Sequence, residues 1–410
     1  MSNDASAATA SVWLNDNGRA GALSGLRVVD LSRVLAGPLC TQMLSDHGAD
    51  VIKVEPPFGD ESRQLGPPFD DDGNAAYFTA LNRGKRAITL DLSSEDGRRF
   101  LLALLEEADV VIENFVPGTM GKWQLDYHTH LKPRFPRLIY CSISGFGDTG
   151  PLGGLPGYDA VLQAMCGLMS INGGPDTNPT RIGIPLVDHL TAYTAMSGIL
   201  MALHARERTG GGQRVEAVLF DAALSLLVPQ AANWMHSGVP PERLGSAHPN
   251  IAPYESFETQ DGLVFLAVVN DAQFRKLCRC IDRQDMAGDS RFATNSDRLR
   301  HRTALRIEIE AAFRKRNKEA LCTLLMRHGV PAGPVNTVPE ALEQAHAHHR
   351  GMVLEDPSCR GLGAPVRLSG SAVQAARKPP LLGEHNARIK ELLEQKLRQE
   401  QGVEPCVNGD

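Results

Sequence analysis

Hydrophobic positions in the first 150 residues switch between two periods. LRVVDLS (26–32), ADVIKVE (49–55), RAITLDL (86–92), DVVIENF (109–115) and RLIYCSIS (137–144) are short, β-rich apolar runs. Such runs predict strands. GPLCTQMLSDHG (37–48) and SSEDGRRFLLALLEEA (93–108) carry helical spacing. The first has proline in its first turn and glycine at its end, and the second has an acidic first turn, both as helices prefer. Strand, helix, strand in this order predicts an α/β fold with a parallel sheet and helices on its faces.

After Ser144 the pattern changes. GFGDTGPLGGLPG is a glycine-rich loop, and helices are predicted over 158–170 and 189–208. Leu190 to Leu203 carries no charge. A helix without a polar face is expected to be buried, in a core or a subunit interface. The run is shorter than the ~18 to 20 apolar residues of a membrane span. From about 235 to 335 a second, smaller unit follows. ESFETQDGLVFLAVV has hairpin character around QDG. DRLRHRTALRIEIEAAFRKR and KEALCTLLMRHG read as amphipathic helices, and GVPAGPVNTVPEAL (329–342) leads to a tail containing KPPLLGEHN.

Composition narrows the class. Of 410 residues, 42% are hydrophobic and 22% charged, enough for a core in a soluble chain. The net charge of -6 argues against nucleic acid as a partner. The 8 cysteines are scattered without a C-x-x-C pair, which predicts reduced thiols in a cytoplasmic protein and no metal site. HAHH (346–349) reads as a solvated helix end in preference to a metal site. Residues 1–24 lack a basic start followed by an apolar block and read as a flexible tail, not a signal peptide.

Three segments carry candidate chemistry. GFGDTG (145–150) matches G-x-G-x-x-G after a strand, but Pro151 and further glycines follow, so no helix starts inside it as a dinucleotide site requires. NRGKR (82–86) places three cations before a strand, as a solvated turn or as a phosphate contact. Asp188 stands at the entrance of the apolar run. It can be an N-cap, a nucleophile or both, since the helix dipole would keep its carboxylate ionised.

Seven segments taken together resemble the class III coenzyme A transferases, a group that includes formyl-CoA, succinyl-CoA and carnitine CoA-transferases with alpha-methylacyl-CoA racemases as relatives. They are LRVVDLSRVLAGPLCTQMLSDHGADVIKVEPP, YFTALNRGKRAITLDL, DVVIENFVPG, GYDAVLQAMCGLMS, RTGGGQRVEAVLFDAAL, GVPAGPVNT and PPLLGEHN, in order from about residue 25 to 390. GSAHPNIAPYESFETQDG looks closest to the branch acting on dicarboxylates, such as succinyl-CoA:glutarate transferases.

The resemblance implies an interlocked homodimer. It implies a Rossmann-like large domain built from 25–225 and a returning 340–410, with a small α+β domain over 235–335. It implies Asp188 as the catalytic carboxylate. Val34, Leu35 and Ala36 would line the pantetheine arm, Leu90 would meet adenine, and Asn114 and Phe115 would be further coenzyme contacts. Lys122 would meet a phosphate, and Tyr158 and Asp159 would belong to the pocket segment before the nucleophile. The 245–254 segment falls at an active-site loop. Substrates would be CoA esters and carboxylic acids, with no tightly bound cofactor and no membrane.

There are departures. Leu35 stands where formyl-CoA transferases have glutamine, and His248, Pro249 and Asn250 stand where they have glycines. Tyr158 stands where racemases have histidine, and a phenol with an ordinary pKa of about 10 is a poor base near neutrality. A racemase or epimerase of the same fold, and a non-catalytic CoA-binding subunit, are the alternative readings.

Overall fold

The apolar runs form one sheet because each strand between helices must bury both faces. The structure, a computed structural model, describes residues 11–14, 21–356, 359–374 and 377–400. Its strands β1 (Arg27–Asp30), β2 (Asp50–Glu55), β3 (Arg86–Thr89), β4 (Val110–Glu113), β5 (Ile139–Ser144) and β6 (Arg214–Val218) are all parallel, in the order β3-β2-β1-β4-β5-β6. Helices α1 (Ala36–Asp46), α2 (Ala76–Thr79), α3 (Glu95–Leu105) and α4 (Thr119–Lys122) fall between these strands, followed by α5 (Asp159–Met165) and α6 (Leu186–Thr209). This is the doubly wound strand order, in which ligands bind beyond the carboxyl ends of the strands where the order reverses, here between β1 and β4.

The chain divides into two compact units. Among the described residues, the first spans 11–166, 183–227 and 348–400, and the second 167–182 and 228–347. The second contains the predicted hairpin, β7 (Tyr254–Glu258) with β8 (Leu263–Ala267), extended by β9 (Ala332–Pro334). Its predicted long helix is broken at His301 into Asn295–Arg300 and Arg302–Phe313. The 245–254 segment is pinned within this unit: Arg302 donates to His248 O at 2.6 Å, and Asn295 Nδ2 to Asn250 O at 2.9 Å.

Three expectations change. The helix predicted over 158–170 breaks at Cys166 and Gly167, where Gly167 takes φ 93°. The helix predicted from 189 starts at Leu186, and it is not buried all round. Ala192, Ala195, Ile199 and Ala202 are buried, whereas Tyr193, Leu200 and Met201 are exposed, Met201 by 70%. Gly198 lets this helix approach β6, since a Cβ there would meet Val215 at 2.5 Å. At 24 residues, α6 is also long and apolar enough to cross a membrane by length and composition, which the count of uncharged positions had excluded.

The third change is NRGKR. It is neither a solvated turn nor open to a phosphate. Arg83, Lys85 and Arg86 are buried and pair with Asp46, Asp30 and Asp50 at 2.6, 3.0 and 2.6 Å. The partners sit on α1, β1 and β2, far apart in sequence, so local pattern could not reveal them. Cys40, Cys141, Cys278, Cys280, Cys322 and Cys359 are free thiols.

At the carboxyl ends of β1 and β2 the buried charges continue. Lys53 Nζ, on β2, lies 2.9 Å from Asp60 Oδ2 and donates to Ser32 O at 2.7 Å. Burial opposes charge on Asp60, but Lys53 and two bonds from Ser62 hold its pKa at about 2. Arg63 forks onto Glu55 at 2.6 and 2.8 Å. Removing one member of such a pair strands the other charge, which typically costs about 3–5 kcal/mol. Lys53→Met should therefore lower unfolding free energy by about that much in urea titration, and adding Asp60→Asn should recover part of it. An additive loss from the two substitutions would show that they are not one pair.

Candidate active site

Two cavities open at the switch point. The first, about 160 Å³, is walled by residues following β1 (Arg33 to Ala36), β4 (Asn114 to Pro117) and β5 (Ser144, Gly145), with Glu61, Tyr158 and Asp188. The second, about 450 Å³, is an apolar slot between Val54, Pro56, Pro57, Phe58, Leu90, Leu92 and Trp123, sharing Arg33, Phe115 and Val116 with the first.

The β1 loop is built tightly. Asn114 clamps it: Arg33 N–H donates to Asn114 Oδ1 at 2.8 Å, and Asn114 Nδ2 donates to Arg33 O at 2.7 Å. Val34 is forced to φ 68°, where a β-branched residue is a genuine outlier. Its N–H donates to Asp60 Oδ1 at 3.3 Å. Gly37 is required because a Cβ there would meet the Ser32 side chain at 2.2 Å. Strain held by surrounding structure is characteristic of functional loops.

Asp188 is not the N-cap of α6. Pro185 occupies that position, and Asp188 lies in the first turn. The cap comes from α5. Asp159 Oδ2 accepts from Val187 N–H at 2.7 Å and Asp188 N–H at 3.2 Å, and its Oδ1 accepts from Gln163 Nε2 at 2.7 Å. The Asp188 carboxylate itself accepts no hydrogen bond among the described residues. The expectation that the helix dipole keeps it readily ionised is reversed. Burial first, and then the neighbouring Asp159 carboxylate, raise its pKa to about 7.

The remaining predicted residues fall as follows. Val34, Leu35 and Ala36 wall the first cavity and Leu90 the second, while Phe115 borders both. Asn114 borders the first, although its polar atoms are engaged by the Arg33 backbone. Tyr158 borders it with 70% of its surface exposed. Asp159 is buried behind Asp188 and is in neither wall. Lys122 is exposed at the end of α4 and also lines neither cavity.

Sequence reasoning does not reach Arg33, Glu61 or Tyr77. Arg33 does carry a signal, since it immediately precedes Val34 in DLSRVLAGP. Tyr77 on α2 is held near pKa 12 by burial and by the carboxylates of Asp188, Asp159 and Asp60. Glu113 at the end of β4 is raised by burial to about 7 while accepting from Phe115 N–H and Tyr140 OH at 2.9 and 3.1 Å. No cluster of acids, histidines and cysteines among the described residues could hold a metal ion.

A carboxylate in the wall of a small cavity, beside an apolar slot, is equipped for acyl chemistry on a ligand with an extended arm. Comparison with known proteins agrees. Residues 23–386 match CoA-transferase family III. The chain is 44% identical over 383 residues to a succinate–glutarate CoA-transferase of Agrobacterium fabrum, covering 91% of this chain and 96% of that one. It is 41% identical over 383 residues to a succinyl-CoA:mesaconate CoA-transferase of Haloarcula hispanica, covering 90% and 96%. A CaiB/BaiF family protein from Brucella suis has the same fold at TM-score 0.83 and 45% identity, covering 92% of this chain and 100% of that one. The chain belongs to CoA-transferase family III and is an enzyme that transfers coenzyme A.

Proposed function

We propose that the enzyme moves CoA from succinyl-CoA to a short dicarboxylic acid through covalent intermediates on Asp188. The observation that carries this reading is the Asp188 carboxylate, free of hydrogen-bond partners among the described residues, in the wall of the first cavity. The donor and acceptor class follow the relatives, which act on glutarate and mesaconate.

A carboxylate oxygen of Asp188 attacks the thioester carbonyl, forming a mixed anhydride and releasing CoA thiolate. The thiolate attacks the aspartyl carbonyl, giving an aspartyl-CoA thioester and free succinate. The acceptor carboxylate attacks that thioester and again releases thiolate. Attack of the thiolate on the acceptor's acyl carbon yields the new acyl-CoA and restores Asp188. The apolar slot with Leu90, Phe115 and Trp123 suits the adenine end, and the strained Val34 to Ala36 loop suits the pantetheine arm. CoA esters are substrates in this reading, and no tightly bound cofactor takes part. Two chains form the homodimer, supported by the exposed apolar Tyr193, Leu200 and Met201 on α6. Light scattering should give the dimer mass at micromolar concentration, and a stable monomer would overturn that part.

Asp188→Asn should reduce CoA transfer by several orders of magnitude, because an amide forms no anhydride. Wild-type enzyme incubated with succinyl-CoA and quenched with hydroxylamine should carry its label on the Asp188 peptide. The same variant reports burial. The stability contributed by neutral Asp188 is complete below about pH 4 and lost above about pH 7, its folded pKa. Asp188→Asn should thus stabilise the fold at pH 8 by up to about 4 kcal/mol and by little at pH 4.

Activity should rise with pH through about 7, as Asp188 ionises. Asp159→Asn keeps an acceptor for the α6 amides but loses the charge, so the limb should move to lower pH. Glu113 titrates in the same range, so Glu113→Gln is the control. A limb that follows Glu113 and not Asp159 would remove Asp188 as its source.

A further inference from the structure

Resting on the transferase reading above, we infer that Arg33 is the distal-carboxylate subsite, the residue that selects dicarboxylic over monocarboxylic acyl groups. A dicarboxylate places one carboxyl group at the nucleophile and leaves the other to be matched inside the same cavity. Among the described residues walling the Asp188 cavity, Arg33 is the only cation. Its resting partner is itself a carboxylate. Arg33 NH1 lies 3.3 Å from Glu61 Oε2, and Glu61 belongs to the wall of this cavity and not to that of the apolar slot. The pair is partly exposed, with side-chain exposures of 32% and 47%, so it is weak and readily exchanged. A substrate carboxylate can therefore take Glu61's place on the guanidinium, whose planar fork donates to two oxygens at once. The guanidinium also lies 5.4 Å from the Phe115 ring centroid, and that ring borders both cavities.

The side chain can be tested without disturbing the loop. Asn114 holds Arg33 through its backbone N–H and O, so those bonds survive in Arg33→Gln.

The experiment measures kcat/KM for isotope-labelled succinate, glutarate and butyrate as acceptors from succinyl-CoA, with wild type, Arg33→Gln and Arg33→Lys. Wild type should prefer the dicarboxylates. Arg33→Gln should lose about ten- to a hundredfold on succinate and glutarate, the scale of a charged hydrogen bond. Most of that loss should lie in KM, with butyrate changing little. Arg33→Lys should recover part of it, keeping the charge but not the fork.

A wild type that transfers CoA to none of these acids would sink the functional reading itself. A wild type with normal transfer, whose Arg33→Gln variant keeps the dicarboxylate preference, would overturn this inference alone. Equal losses for all three acceptors, with a raised KM for every CoA ester, would also overturn it. That pattern would assign Arg33 to the coenzyme phosphates.

Discussion

Lys53 ties together the end of the sheet at which the two cavities open. Its ammonium is fully buried between Ser32 O and Asp60. Asp60 in turn accepts from Val34 N–H and from Ser62. One cation thus fixes the loops after β1 and β2 together. Neighbouring buried ions extend the arrangement: Lys85 holds Asp30, and Arg63 holds Glu55 and donates to Pro380 O. Such pairs are a doubtful source of net stability, because desolvation offsets their attraction. Their value here is geometric. They hold Val34 in a backbone conformation that valine avoids, and the walls of the first cavity follow from it.

The edge of the sheet is managed by the C-terminal segment. β3 is an edge strand, and an open edge invites pairing with other chains. His385 and Asn386, in PPLLGEHN, occupy it. Ala87 N–H donates to His385 Nδ1 at 3.2 Å, His385 N–H donates to Ala87 O at 3.0 Å, and Thr89 N–H donates to Asn386 Oδ1 at 2.9 Å. A motif quoted for its resemblance alone therefore has a physical role, remote in sequence from the strand it closes.

The parallel sheet was legible because short, continuous apolar runs alternating with helices leave few other folds. Asp188 was singled out by its place at the entrance of the apolar run, and its proposed catalytic role came by resemblance. Its environment was not legible, since the competing cap, Asp159, lies 29 positions upstream. The same limit explains NRGKR. Three adjacent cations look solvated until the folded chain delivers three aspartates from separate elements. Lys122 differs, because exposure and not pairing keeps it out of the site. Its neighbour Trp123 turns into the slot, whereas Lys122 remains in solvent.

Asp159 has a consequence for reactivity. The N-terminal amides of α6 would ordinarily stabilise an anion in the first turn. Asp159 takes those of Val187 and Asp188, so Asp188 is left with burial and a like charge, and its pKa rises to about 7. A more basic carboxylate is a stronger nucleophile, yet with a pKa near 7 part of it stays ionised near neutrality. Full stabilisation by the helix would have kept Asp188 charged but made it less reactive. In the proposed mechanism, the arrangement trades part of the ionised population for a carboxylate with no hydrogen bond among the described residues to break before it attacks.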